Sequence, residues 1–440
     1  MSTAKKLVLL IGDVFSLYLS LILTLLIRYG VVDFEKHLVS HLLPFSLIFV
    51  VWLLIFYLSD LYRPRKLGGA YKTFGSLFVA ASLSIIVSII LFYLFVGFFN
   101  LTPKTNLFVF GGLFLLTSWL WRIILIKLFT AGATEAIILG DSPLIQGTIN
   151  HLADNPQTGY KIVDWLKDPK GGNAKDIIES IKTKKAQLII IIQPHLTKET
   201  TTQLVKEFLP LEMDFVNFWD FYESIFEKVP FDELEEGWFM ENITTRRPFY
   251  DAAKRGVDFF LSFSLGLIFL PLAVIIGIAV ALTSRGPITL KQERRGKNSQ
   301  VFTLYKFRTM STWTGGNDGT PAWTLKDDPR ITPFGKLLRF THLDELPQLL
   351  NILIGDISFT GPRPERTELA EKYENLPYYE MRHIVKPGLT GWAQINYKPS
   401  ASLEEAKEKL KYDIYYVKNR SFFLDVLIII RTVRYIFLSH

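Results

Sequence analysis

The chain has no cysteine in 440 residues, which excludes disulfides, thiolate nucleophiles and cysteine-held zinc. Histidine is scarce too, with seven in the chain. No long run of one charge sign occurs. The basic residues behind a net charge of +7 are scattered among membrane flanks and short motifs, without a nucleic-acid module. Nucleic acid is therefore not an expected partner, whereas anionic lipid headgroups and nucleotide diphosphates suit that charge. No internal repeat is visible, which argues against a transporter or flippase.

What abounds is apolar surface: 49% of residues are hydrophobic and the mean hydropathy is +0.24. Leu7 to Ile27, Leu42 to Ser59, Leu77 to Phe99 and Leu107 to Leu128 each approach the ~20 residues that cross a hydrocarbon core. These predict a transmembrane domain of four helices over residues 1–130. Lys5 and Lys6 precede the first span, Arg63, Arg65, Lys66 and Lys72 separate the second from the third, and Arg122 and Lys127 close the fourth. Positive flanks mark the cytoplasmic side, so both ends of the bundle are expected there. The first segment lacks a small-residue cleavage site and other spans follow, so it reads as an anchor. Asp13, about two turns inside it, is expected to reach the interface.

From Thr134 the pattern changes to that of an α/β unit. Ala136 to Leu139 and Leu188 to Ile192 read as buried strands, with helices near Leu144 to Ala153, Ala174 to Lys184 and Lys198 to Phe208. This alternation predicts a small Rossmann-like domain over residues 134–235, followed by a linker over 236–255. Its phosphate-binding fingerprint is poor, because Asp141, Ser142, Pro143 and Leu144 follow Gly140 where G-x-G-x-x-G needs more glycines. A structural or regulatory role is the expectation.

Val257 to Leu282 is long enough to span a bilayer. Yet Pro271 lies at its middle, where it removes a helix hydrogen bond, and Lys254 and Arg255 before it match Arg285, Lys291, Arg294 and Arg295 after it. Cytoplasmic charge on both flanks predicts a re-entrant helix over residues 256–283, broken at Pro271.

The densest chemistry lies in Leu343 to Glu365, LDELPQLLNILIGDISFTGPRPE. Asp344 and Glu345 precede Pro347, a residue suited to a helix's first turn, and Leu346, Leu349, Leu350 and Leu353 recur at helical spacing. The acidic pair is thus expected at a helix N-terminus, where dipole and free N–H groups favour carboxylates and phosphates. Two readings follow: one carboxylate attacks phosphorus while its neighbour holds a cation, or the pair merely caps the helix. Arg339 lies five residues upstream, and Gly361-Pro362-Arg363-Pro364 presents a guanidinium on a rigid turn suited to bidentate phosphate binding. Lys306 and Arg308 share one face of a predicted strand. Ser311 to Pro329, rich in glycine and hydroxyls, reads as a loop able to cover a nucleotide. Trp392 offers either a stacking surface or a core aromatic.

LDELPQLLN with GPRPE, YKFRTM at Tyr305 to Met310 and KPGLTGWAQIN at Lys386 to Asn396 together resemble the bacterial sugar transferase family, monotopic polyprenyl-phosphate phosphoglycosyl transferases. The resemblance implies a membrane α-helical bundle, a Rossmann-like α/β domain, and an α+β catalytic domain over 284–440 entered through a re-entrant helix. The implied reaction moves sugar-1-phosphate from a UDP-sugar to polyprenyl (undecaprenyl) phosphate, giving polyprenyl-diphospho-sugar and UMP, the first membrane step of exopolysaccharide, capsule or O-antigen synthesis. It implies Asp344 as nucleophile, Glu345 as its positioning partner, Mg²⁺ held by both, and Lys306, Arg308, Arg339, Arg363 and Lys386 on phosphate or nucleotide. Location at the cytoplasmic face of the bacterial inner membrane follows, with membrane lipid as a partner and room for a homodimer. Leu270-Pro271 departs from the family's Ser-Pro break, and Ser421 to Leu438 is expected as an interfacial helix. The rival reading is a non-catalytic scaffold or regulator of polysaccharide assembly that senses a nucleotide.

Overall fold

The computed structural model describes residues 3–59, 61–62, 70–99, 104–131, 133–167, 186–192, 213–283, 286–311, 330–397 and 402–438, with positions 178–179, 183–184, 202 and 206–207 between. The predicted loop after Ser311, most of the helices near 174–184 and 198–208, and the flanking Arg63, Arg65, Lys66 and Arg285 lie outside these residues. The chain divides into two compact units, Met1–Glu227 and Lys228–His440.

The first unit opens with helices α1 (Thr3–Tyr29), α2 (Phe34–Leu58), α3 (Ala70–Leu94) and α4 (Lys104–Ala131). Each contains a stretch long and apolar enough to cross a membrane, as the sequence predicts. Their contacts are aromatic. Phe45, Phe49, Trp52 and Phe56 recur along one face of α2 and meet Phe110 and Phe114 of α4, with the Trp52 ring 5.1 and 5.3 Å from those two. Asp13 does not reach the interface. It is fully buried, and Arg122 donates to both its oxygens at 2.5 and 2.7 Å while Ser118 Oγ donates at 2.7 Å. Arg122 is thus an internal partner and not a flanking charge, because a lone carboxylate among apolar helices is far costlier than a neutralised pair.

The same unit continues with β1 (Thr134–Leu139), α5 (Leu144–Asp154), β2 (Tyr160–Leu166), β3 (Leu188–Ile191), β4 (Asp214–Asn217) and α6 (Phe218–Phe226). The strands form one parallel sheet in the order β2-β1-β3-β4. Both faces of β1 and β3 are covered, one by Ile138 and Ile190 with Phe218 and Phe221, the other by Ile137 and Ile189. That double coverage explains their unbroken apolar runs.

The second unit begins earlier than the sequence suggests. Val229 N–H donates to Lys411 O at 3.0 Å and Asp232 pairs with Lys407 and Lys411, so residues 228–235 pack within this unit. The segment expected as a linker is also committed: α7 (Glu236–Asn242) buries Phe239, whose ring stacks on Tyr378 at 3.9 Å. Helix α8 (Pro248–Thr283) then runs 36 residues and continues through Pro271, so the expected break does not interrupt it. Proline costs one internal hydrogen bond there, which the long apolar helix absorbs.

A hairpin of β5 (Thr289–Arg295) and β6 (Val301–Phe307) follows, then α9 (Pro333–Phe340), a 3₁₀ turn (Leu343–Glu345) and α10 (Gln348–Ile354). Strand β7 (Ser358–Thr360) pairs in parallel with β8 (Gly388–Thr390), and helices α11 (Thr367–Tyr373), α12 (Trp392–Asn396), α13 (Leu403–Asn419) and α14 (Phe422–Leu438) complete the unit. Trp392 is core and not a stacking platform, buried among Tyr416, Val417, Leu424 and Ile428. Those last two residues show that the first half of α14 is a packed helix of this core, where an interfacial one was expected.

Candidate active site

The acidic pair sits one step ahead of its expected place. Asp344 and Glu345 occupy the 3₁₀ turn, and α10 starts only at Gln348 after Pro347. His342, with φ +56°, turns the chain out of α9 into this position. A left-handed non-glycine residue costs ~1–2 kcal/mol, and such strain concentrates beside functional groups.

Helix α10 turns polar as well as apolar groups inward. Its buried positions are Gln348, Asn351 and Ile352, whereas Leu350 and Ile354 are 49% and 60% exposed. Asn351 is buried because it is bonded: its Nδ2 donates to Thr303 O at 2.7 Å and its Oδ1 accepts from Tyr305 N at 3.1 Å, suspending α10 from β6. Of the periodic leucines only Leu350 is exposed, while Leu346 and Leu349 pack against the core. At the far end, Arg255 of α8 donates to the carbonyls of Ile352 and Leu353, both at 2.7 Å, satisfying groups that a helix C-terminus leaves open.

Lys306, on β6, donates to Glu345 Oε1 at 2.6 Å, and Arg363 Nη2 donates to the same oxygen at 2.9 Å. Burial pushes the Glu345 carboxyl upward, but Arg363 and Lys306 outweigh it and hold the pKa at about 2. Asp344 differs. Burial first, then the Glu345 charge, raises its carboxyl above the ordinary value, opposed by Lys306 and Arg339, and among the described residues its side chain makes no hydrogen bond. Arg339 is braced by Nε donating to Thr309 Oγ1 at 2.8 Å.

Arg363 is positioned from behind. Its carbonyl accepts from Arg382 Nη2 at 2.7 Å, and that nitrogen also lies 3.0 Å from Asp413 on α13, with both side chains buried. Glu365 closes the layer on Lys409 at 2.5 Å. The GPRP turn itself depends on glycine, because a Cβ on Gly388 would lie 2.1 Å from Gly361 N.

Four of the predicted residues besides Asp344 therefore converge: Glu345, Lys306, Arg363 and Arg339. Arg308 is buried just beyond β6, its amide bonded to Ile288 O at 3.0 Å. Lys386 is placed elsewhere, its Nζ against Gly355 at the opposite end of α10, because the close β7–β8 crossing aims it away from the pair. Pro271 belongs to α8, apart from this cluster in sequence and role. Sequence reasoning missed His342, Asn351, Arg382 and Asp413. Only Asp413 left a trace, an acid standing in line with the buried Ala406, Leu410 and Val417 of α13.

The donor set fits a hard divalent cation. Mg²⁺ takes one or two carboxylates and completes its shell with substrate phosphate oxygens and water, so Asp344 and Glu345 suffice without a third acidic residue. Among the described residues no group of three or more such side chains gathers anywhere.

A family model described as bacterial sugar transferase matches residues 249–439, the span that carries every group above. A similar protein is the exopolysaccharide production protein PSS of Rhizobium leguminosarum bv. phaseoli, 41% identical over 41% of this chain and 92% of its own length. The chain belongs to the bacterial sugar transferase family. Two larger family members are also similar. One is the UDP-glucose:undecaprenyl-phosphate glucose-1-phosphate transferase of Escherichia coli (strain K12), 30% identical over 67% of this chain and 66% of that protein. The other is the UDP-N-acetylgalactosamine-undecaprenyl-phosphate N-acetylgalactosaminephosphotransferase of Aeromonas hydrophila, 36% identical over 48% and 49%. The match spans about half to two thirds of the length of these two relatives.

Proposed function

We propose that the chain transfers a sugar-1-phosphate from a UDP-sugar to polyprenyl phosphate, releasing UMP. The observation that carries this is the unequal pair: Glu345 is neutralised by two cations, while Asp344 beside it is desolvated and uncommitted. An oxygen of Asp344 attacks the sugar-bearing phosphorus, the bond to UMP breaks, and the aspartyl phosphosugar holds the sugar. An oxygen of polyprenyl phosphate then attacks that phosphorus and releases the carboxylate. Arg339, Lys306 and Arg363 supply the positive charge that the diphosphate and the transition state require. Bound Mg²⁺, held by Asp344 and Glu345, would neutralise diphosphate charge.

The names of the relatives favour a UDP-hexose or UDP-N-acetylhexosamine donor and undecaprenyl phosphate as acceptor. The test is incubation of purified protein with a panel of labelled UDP-sugars and Mg²⁺, without acceptor. One member should leave label on the protein and release UMP, and chelation should prevent both. Label that never appears with any donor, alongside acceptor-dependent product, would exclude the covalent route.

We propose that the parallel sheet of the first unit is Rossmann-like and that α8 is re-entrant, bent at Pro271 within a continuous helix. In support, both arms of α8 pack on one domain: Arg255 on Ile352 and Leu353, and Ile276 and Val280 on Phe307 and Leu338. A helix crossing the bilayer would carry its two ends to opposite sides. The outward apolar residues Leu350 and Ile354 of α10, with Leu337 and Phe340 of α9, favour a unit resting on the membrane. Cytoplasmic location is checked by cysteines at Glu241 and Lys291, both exposed: neither should react with an impermeant thiol reagent until the cell is opened. Reaction of one alone in intact cells would make α8 a span.

A further inference from the structure

Apart from the acidic pair, the second unit holds a cavity of about 60 Å³ walled by Lys254, Arg255, Lys297, Lys386 and Arg420, against only Asp251 and Asp258. A water needs roughly 10–15 Å³ of such space, so the volume admits a phosphate-sized group. Most of these cations are committed. Lys254 pairs with Asp425 at 2.8 Å, Arg255 caps α10, and Arg420 donates to the carbonyls of Val417 and Thr244 at 2.7 and 2.9 Å.

Besides the exposed Lys297, the exception is Lys386. Half-buried, it has no hydrogen bond or ion pair among the described residues, and burial followed by the Arg255 charge lowers its pKa. Its Nζ lies 3.2 Å, and Arg255 Cζ 3.0 Å, from the point a Cβ on Gly355 would occupy. Gly355, at φ +106°, thus lets two like charges crowd together, an arrangement whose cost a bound anion removes. Just after Arg255, α8 exposes Val257, Phe260 and Phe263, so the cavity lies where the chain passes from polar to apolar surroundings.

We propose that this cavity is a second anion site, taking the phosphate group of a lipid headgroup or a free phosphate, with Lys386 as the donor left open for it. It is separate from the Asp344 site, which precedes α10, whereas Lys386 meets the residue that ends it; seven residues of helix put ~10 Å between them. The proposal does not rest on the transfer reaction, and binding reports it without turnover.

The test is calorimetric titration of the full chain in neutral detergent with short-chain phosphatidic acid in one arm and inorganic phosphate in the other. Lys386→Gln should weaken the bound probe about tenfold, the loss of one charge-assisted hydrogen bond, while Lys386→Arg should retain it. Repeating the titration in Arg339→Ala protein should leave the Lys386-dependent heat in place, which separates it from phosphate held at Asp344. Binding of phosphatidic acid alone assigns the site to lipid, and equal binding of inorganic phosphate assigns it to a free anion. Equal affinity of the wild type and Lys386→Gln for both probes, or no binding by the wild type, overturns the site.

Discussion

Two places in the molecule bury carboxylates, and they treat them oppositely. In the helical bundle Asp13 is closed on every side by Arg122 and Ser118, at full burial. In the 3₁₀ turn of the second unit Glu345 is paired through Oε1 alone, by Lys306 and Arg363, and Asp344 next to it is surrounded by charge without a committed bond. A carboxylate bonded through both oxygens is framework, whereas on the proposed reading one that is desolvated and unbonded is the reacting group. Charge and burial alone do not separate the two roles; the partner atoms do.

Asp344→Asn should break the comparison most sharply. Acceptor-dependent UMP release is expected to fall by roughly 10³-fold or more, as for loss of a nucleophile. Stability should move the other way. An acid whose folded pKa is raised contributes stability below its ordinary value and loses it as pH rises through the raised one, so at neutral pH Asp344 is a cost that asparagine removes. A lower thermal midpoint for Asp344→Asn would return that residue to the framework.

Arg122→Met should act on stability alone, lowering it by ~3–5 kcal/mol because a carboxylate is left buried without its partner. Thermal unfolding in detergent measures this, and Asp13→Leu combined with Arg122→Met should restore most of the loss. An undiminished single variant would mean that Asp13 finds water.

Glu345→Gln should affect both properties, each less than the extreme case: turnover lower by about 10²-fold, the scale of one electrostatic donor or acceptor in a transition state, and a lower midpoint. Glu345 and Glu365 are both held to about 2 against burial, by Arg363 with Lys306 and by Lys409 with Arg382 respectively. Their stabilisation is present above the ordinary value of 4.5 and disappears as pH falls from there to about 2. Trp392 fluorescence, read from within this core, should therefore report acid unfolding in that window, with a shallower pH dependence in Glu345→Gln.

The sequence foretells what is local. Four spans, the buried strands β1 and β3, helix α5 and the acid-bearing turn follow from periodicity and proline placement. Strands β2 and β4 escaped it, since Tyr160–Leu166 mixes charge with aromatics and Asp214–Asn217 is only four residues. The partner of Asp13 lies 109 residues away, beyond any local pattern. Helix α10 misleads for another reason: its leucine spacing gives no hint that Asn351 is buried as well, pinned to β6. The Asp413–Arg382–Arg363 chain is likewise tertiary, built from three segments that no spacing rule connects.

The outward face of α10 and α9 has a consequence for how rate should be measured. Exposed Leu337 and Phe340 precede the turn that bears Asp344, and exposed Leu350 and Ile354 follow it. On the proposed reading, a reactive group beside such residues meets a lipid-borne acceptor in two dimensions. Its turnover should track the mole fraction of acceptor within the micelle or vesicle, and adding inert lipid at constant bulk concentration should slow it by surface dilution, while the water-soluble donor keeps ordinary saturation behaviour.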